Sequence, residues 1–155
     1  MTEEIDLDGI MAVMVAAFEP HWREAWTRSQ VRDSLAMPTT RALLMTADGS
    51  LVTGSPPAEV AAFTLSRQAS DEEELLLIAV HPAHRGRGLG ARLIEAFAAT
   101  SAERGVKRIF LEMRANNPAQ SLYRRSQFKP IGVRPSYYRS SDGTTIDAIT
   151  FAREL

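Results

Sequence analysis

Residues 78–95, IAVHPAHRGRGLGARLIE, pass from the end of an apolar run through a loop of arginine and glycine into an amphipathic helix. Within them, Arg85-Gly86-Arg87-Gly88-Leu89-Gly90 sets three glycines at the point where a buried strand meets a helix start. Amides at a helix N-terminus lack intrahelical acceptors and carry partial positive charge, and glycine lets an anion approach the backbone closely. Two arginines reinforce an anion-binding loop; the plainer alternative is a basic, solvated connection. Gly86-x-Gly88-x-x-Ala91 also satisfies the dinucleotide-binding pattern, with Glu112 roughly where a ribose-binding acid would stand. Two features oppose that reading. Five residues, His81 to Arg85, separate the strand from Gly86, and only 65 residues follow Gly90, too few for a doubly wound sheet. A phosphate loop of the Walker type is excluded because Ala91-Arg92 follows Gly90.

Working outward, LLLIAV (75–80) has the continuous apolar character of a central strand covered on both faces, and the acids Asp71 to Glu74 before it read as a solvated edge. A helix is expected from about Leu89 to Arg104, burying Leu93, Ile94 and Phe97 and closed by Gly105, before the strand KRIFLEM (107–113). Upstream, TRALLMTADGSLV and EVAAFTLSRQ form a hairpin around the GSPP loop. Two helices precede it, one capped by Asp6 or Asp8 and ending near Glu19-Pro20, the other capped by Thr27 and stopped by Pro38. Downstream, Pro118 introduces the helix AQSLYRRS, and FKPIGVRP pairs with TTIDAITFAREL around a loop, SYYRSSDG. The order α-α-β-β-β-α-β-α-β-β predicts one α/β domain over residues 1–155 with a mixed sheet.

Composition narrows the chemistry. The 155 residues carry no cysteine, which excludes disulfides, thiolate metal sites and any acyl-cysteine intermediate. The acidic start, MTEEIDLDG, and the lack of a long apolar run predict a cytoplasmic protein with no membrane partner. Net charge is -1, yet residues 1–80 hold 5 basic against 13 acidic side chains, and residues 81–155 hold 13 against 6. Halves of -8 and +7 suggest two differently charged ligands, with the near-neutral total arguing against nucleic acid. His81 and His84 lack the further ligands a metal would need, so no metal is expected.

IAVHPAHRGRGLGARLIE resembles the acetyl-CoA signature of the GNAT N-acetyltransferases, whose pattern Arg/Gln-x-x-Gly-x-Gly/Ala is met by Arg85, Gly88 and Gly90. FLEMRANNPAQSLYRRSQF is similar to that family's second motif. The tail RPSYYRSSDGTTIDAITF resembles one branch, the bacterial ribosomal-protein-alanine N-acetyltransferases of the RimI type. The resemblance implies a GNAT α/β fold: a mixed, mostly antiparallel sheet with splayed central strands, about four flanking helices, and a first strand that is short or absent. It implies that Ile78, Ala79 and Val80 hold the pantetheine of acetyl-CoA, with a bulge splaying their strand from the one bearing Glu112. The pyrophosphate would sit on the amides of Arg85, Gly86, Arg87, Gly88, Leu89 and Gly90. CoA would be the product.

Acetyl transfer from a thioester needs a neutral amine, oxyanion stabilisation and a proton for the departing thiolate. Without cysteine, direct attack in a ternary complex is the simplest scheme. An α-amine titrates near ~8 and a lysine near ~10.4, so at neutral pH the neutral form is roughly a hundredfold more available at an N-terminus. The resemblance implies Glu112 as base, against a plainer role as a strand-end acid beside Arg114; Glu74 is the competing base. Tyr123 matches the tyrosine that returns the proton, although it also shares a helix face with Ala119 and Leu122. The loop between Glu112 and Tyr123 is one residue short of the family pattern, leaving Asn116 or Asn117 as the cofactor-touching asparagine. Gln127 replaces the usual glycine before the phenylalanine. Tyr137 and Tyr138, read as residues of the last loop, and Trp26, with the neighbouring Trp22, are the implied acceptor walls. The implied partner is a protein or peptide N-terminus, specifically a ribosomal protein, acted on by a monomer or weak dimer. Lysine side chains and small-molecule amines stay open as acceptors, because fold does not fix the acceptor.

Overall fold

Local capping sets the first two helices. Asp6 Oδ1 accepts the Gly9 amide at 2.9 Å and starts α1, Leu7–Ala17. Thr27 and Gln30 form a reciprocal capping box at the start of α2, Arg28–Leu35. The computed structural model describes residues 5–18, 24–52 and 59–155. The expected stop at Glu19-Pro20, Trp22 and the GSPP loop lie outside the described residues.

The strands are β1 Thr40–Met45, β2 Ala62–Ala69, β3 Glu72–Val80, β4 Arg108–Arg114, β5 Lys129–Arg139 and β6 Thr145–Glu154; α3 is Leu89–Glu103 and α4 is Gln120–Arg125. The sheet order is β1-β2-β3-β4-β6-β5, and β3 with β4 is its parallel pair. Among the described residues, no strand precedes α1. On one face, Ile10, Val13, Met14 and Val31 pack against Phe63, Leu65 and Leu77. Ile94 and Phe97 of α3 close the other face against Ile109, Leu111 and Phe151. Phe63, Phe97 and Phe151 are wholly buried, each contributing about 1.5–3 kcal/mol of transfer free energy.

One irregularity positions the site. β3 pairs with β4 only from Glu72 to Glu74, opposite Arg108 to Phe110. On the other side, Leu65 pairs with Leu77 while Ser66 pairs with Leu75, so Leu76 is the extra residue of a bulge. Beyond it, β3 keeps its partner β2 and loses β4, so the side of Leu75 to Val80 that faces β4 is free of ladder bonds.

Three expectations are corrected. LLLIAV is not buried throughout: Leu75 packs into the core on one face and Leu77 and Ala79 into the core on the other, whereas Leu76, Ile78 and Val80 are partly open beside the cleft that the splay leaves. The acids before it are no solvated edge, since Glu72 to Glu74 belong to β3 and Glu73 is wholly buried. Glu73 accepts from Ser66 at 2.5 Å and from Ser101 at 3.0 Å, and it pairs with Arg104, tying β2 and β3 to α3. Tyr137 and Tyr138 lie in β5 instead of a loop, because that strand continues past Pro135 across an irregularity and pairs again at Tyr138.

Candidate active site

β3 ends at Val80, and a short 3-10 turn, Pro82–His84, leads into the glycine loop. Gly86 and Gly88 both adopt φ +78°, a left-handed conformation that L side chains resist, and a Cβ at either would meet nothing within 4 Å. The loop is thus open on the side where these glycines turn. Gly88 is the N-cap of α3 and offers no side-chain cap, so the first-turn amides keep their donors for an external acceptor. Gly90 has a different reason to be glycine: a Cβ there would stand 3.1 Å from Leu122 Cδ2 of α4.

Two cavities flank Tyr123. The larger, about 620 Å³, runs along Ile78, Ala79 and Val80 to Arg85, Gly86, Gly88, Leu89 and Gly90, and on its other wall meets Asn117, Leu122 and Arg125. The smaller, about 330 Å³, is bordered by Trp26, Glu74, Leu76, Glu112, Tyr137 and Tyr138. Phe18, Glu24, Ile78, Asn117 and Tyr123 border both.

Tyr123 is 5% exposed and packs edge-on against Phe128 at 5.8 Å, so it is a core aromatic that also borders both cavities. Burial, reinforced by the Glu24 charge, pushes its hydroxyl well above the ordinary tyrosine range, which keeps the proton on it. Tyr138 is raised likewise, first by burial and then by Glu24 and Glu112; its hydroxyl donates to the Glu112 carbonyl at 3.4 Å. Tyr137 stands edge-on to Tyr138 at 5.2 Å.

Both candidate bases face the smaller cavity, and each has an arginine. Glu74 accepts from Arg67 at 3.2 Å. Glu112 Oε2 meets Arg134 Nε at 3.1 Å and Thr150 Oγ1 at 3.4 Å. The asparagines diverge: Asn117 borders both cavities and its Oδ1 accepts the Ala119 amide at 2.9 Å, whereas Asn116 is exposed and its Oδ1 accepts from Arg114 at 3.0 Å.

The loop arginines are divided in their tasks. Arg85 donates through Nε to the Val80 carbonyl at 3.2 Å and through a terminal nitrogen to the Ala17 carbonyl at 3.1 Å, strapping the end of α1 to the end of β3. Arg92 donates to the Asp48 carbonyl at 3.3 Å. Arg87 approaches His84 Nδ1 at 3.5 Å and remains exposed.

A splayed β3–β4 pair with a glycine loop leading into a helix between them is a recognisable frame, and the model of the acetyltransferase (GNAT) family matches residues 11–128. The chain belongs to the GNAT family. Among its relatives, the bS18-alanine N-acetyltransferase of Escherichia coli K12 is 38% identical over 95 residues, a match spanning 61% of this chain and 64% of that protein. The corresponding Haemophilus influenzae enzyme is 30% identical over 94 residues, again 64% of its length. The solved ribosomal-protein-S18-alanine N-acetyltransferase from E. coli superposes with a TM-score of 0.81 at 27% identity, covering 99% of this chain and 90% of that one. Arabidopsis thaliana NAA60 in complex with acetyl-CoA shares the fold, with a TM-score of 0.75 at 18% identity, covering 99% of this chain and 95% of that one.

Four residues that the sequence did not single out border the two cavities or pair with their walls. Glu24 borders both cavities and accepts from Arg114 Nε at 2.9 Å, a pairing invisible at a separation of 90 residues. Phe18 closes α1 against both cavities. Arg125 brings a cation to the larger cavity from the last turn of α4; the pair Arg124-Arg125 was its only signal. Arg134 reaches Glu112 only because β5 returns beside β6. Among the described residues, no group of three or more metal-ligating side chains forms, and no helix is long and apolar enough to cross a membrane.

Proposed function

We propose that this protein is an acetyl-CoA-dependent Nα-acetyltransferase that acts on a protein N-terminus, with a ribosomal protein as substrate class. The observation that carries the reading is the meeting of the 620 Å³ and 330 Å³ cavities at Tyr123, with the glycine loop at the far end of one and Glu112 on the wall of the other. The similarity to bS18-alanine N-acetyltransferases supports the choice of acceptor.

The larger cavity suits a long ligand with phosphates at one end. The ladder-free side of Leu75 to Val80 offers peptide groups to a pantetheine amide chain. Gly86 and Gly88 leave room for a diphosphate over the first-turn amides of α3, Arg125 supplies a cation from the cavity wall, and Arg87 stands exposed on the loop beside it. Asn117, on the wall common to both cavities, is our choice over Asn116, which is occupied with Arg114.

When bound, acetyl-CoA supplies an activated acyl thioester; the protein's residues manage position and protons. Glu112 accepts one proton from the acceptor's ammonium, directly or through water, which frees the nitrogen lone pair. The new N–C bond forms as the C–S bond breaks, and Tyr123 Oη gives its proton to the departing sulfur. The second proton lost by the nitrogen restores Tyr123, so the protons balance. Trp26, Tyr137 and Tyr138 wall the acceptor.

The test is thiol release from acetyl-CoA with short peptides that differ in their first residue, beside free lysine and polyamines. Turnover with α-amines of peptides is expected, strongly reduced in Glu112→Gln and retained in Glu74→Gln. Activity confined to small-molecule amines would overturn the assignment.

A further inference from the structure

We propose that Arg134 is a place-holding cation at Glu112, a positioning residue that the acceptor's cationic amine displaces on binding. The inference rests on the reading of Glu112 as base and concerns what occupies that base before the acceptor arrives.

The pair is lopsided. Glu112 belongs to the cavity wall, its side chain 17% exposed, whereas Arg134 reaches it from outside with a side chain 64% exposed. Exposed ion pairs contribute little net free energy, so an arriving cation can separate this one at small cost. Among the described residues, both partners of Glu112's carboxylate, Arg134 and Thr150, fall on Oε2. A second cation brought to the same carboxylate would repel the guanidinium across a few ångströms.

β5 provides a second seat for the displaced group. Arg134 pairs with Ala148 and Tyr138 with Ile146, so three residues of β5 lie opposite one residue of β6. Ser136 takes up the excess with φ +53°, and its amide is held by Asp147 Oδ1 at 2.9 Å. This built irregularity sets Tyr137 beside the arginine: the guanidinium carbon lies 5.2 Å from the ring centre, within cation–π range. Arg134 can therefore yield Glu112 and keep the aromatic face. An ammonium entering the cavity also passes Glu74 and Glu24, each already paired with an arginine, and reaches Glu112 at Oε1, the oxygen that Arg134 and Thr150 do not contact. The acceptor class that fits is one presenting a compact, protonated amine to Glu112.

The experiment compares wild type, Arg134→Gln and Arg134→Lys. A peptide with a free N-terminus is titrated calorimetrically into CoA-saturated protein, where no turnover occurs, and steady-state KM values are measured for peptide and acetyl-CoA. Removing the competing cation is expected to tighten peptide binding by about two- to fivefold, the range of an exposed ion pair. The acetyl-CoA KM should stay unchanged, and Arg134→Lys should fall between the other two. Methylguanidinium should inhibit Arg134→Gln competitively against peptide more strongly than it inhibits wild type. Unchanged or weaker peptide binding in Arg134→Gln overturns the proposal, as does a parallel rise in the acetyl-CoA KM, which would mark a general structural role. If wild type turns over no peptide α-amine, the assignment of acceptor fails and this inference falls with it.

Discussion

Arg114 Nε donates to Glu24 Oε1 at 2.9 Å across 90 residues of chain, with the two side chains only 12% and 16% exposed. The bond ties the segment between α1 and α2 to the end of β4, and Arg114 also reaches Asn116. Breaking one partner of a largely buried pair leaves an uncompensated charge. Arg114→Met is expected to lower unfolding stability by about 3 kcal/mol, and the double substitution with Glu24→Gln to recover part of it. Urea unfolding of the four proteins checks the cycle; a loss below about 1 kcal/mol would show that the pair is merely solvated.

Tyr123→Phe separates packing from chemistry. The ring keeps its edge-on contact with Phe128 and its place in the core cluster, so the melting temperature should change little. Loss of the proton donor should lower kcat by about a hundredfold or more, with KM values near wild type.

The same hydroxyl makes a prediction about alkaline stability. Burial raises the folded pKa of Tyr123 above its unfolded value near ~10, so the folded state disfavours the ionised form. Its contribution is complete below about pH 10 and is lost as pH rises beyond, at about 1.4 kcal/mol per pH unit, because the unfolded chain releases the proton first. Wild type should therefore lose stability above pH 10 more steeply than Tyr123→Phe. Equal slopes in denaturant melts at pH 9.5 to 11 would contradict this.

Glu73 should matter for folding and not for the acceptor. It is wholly buried with Ser66, Ser101 and Arg104 around it, so Glu73→Ala strands a cation and is expected to cost about 3–5 kcal/mol. Peptide KM, measured below the melting temperature, should be unchanged. A raised peptide KM with intact stability would contradict this and put Glu73 in contact with the acceptor's binding.

Gly88→Ala tests the loop without adding a clash, since a Cβ there meets nothing within 4 Å. Holding alanine at φ +78° costs about 1–2 kcal/mol, and relaxation of the loop should weaken CoA binding by about tenfold. Gly90→Ala acts through contact instead, pushing Leu122 and its neighbour Tyr123, and should lower kcat more than CoA affinity. Calorimetric CoA titrations together with initial rates distinguish the two.

What the sequence determined by itself was local and periodic. Gly86, Gly88 and Gly90 at a strand–helix junction implied an anion loop, Thr27 marked a helix start, and the absence of cysteine removed covalent thiol chemistry. These signals act within a few residues of chain, so spacing reveals them. Only the tertiary structure decided which side chains share the cleft. It sent Glu73 into the core while Glu74 faced the cavity, because neighbours on a strand point to opposite faces. It committed Arg85 to two backbone carbonyls, and it placed Arg134 on Glu112 and Glu24 on Arg114. The order in which strands assemble into the sheet sets those meetings, and charge or hydropathy along the chain carries no record of them.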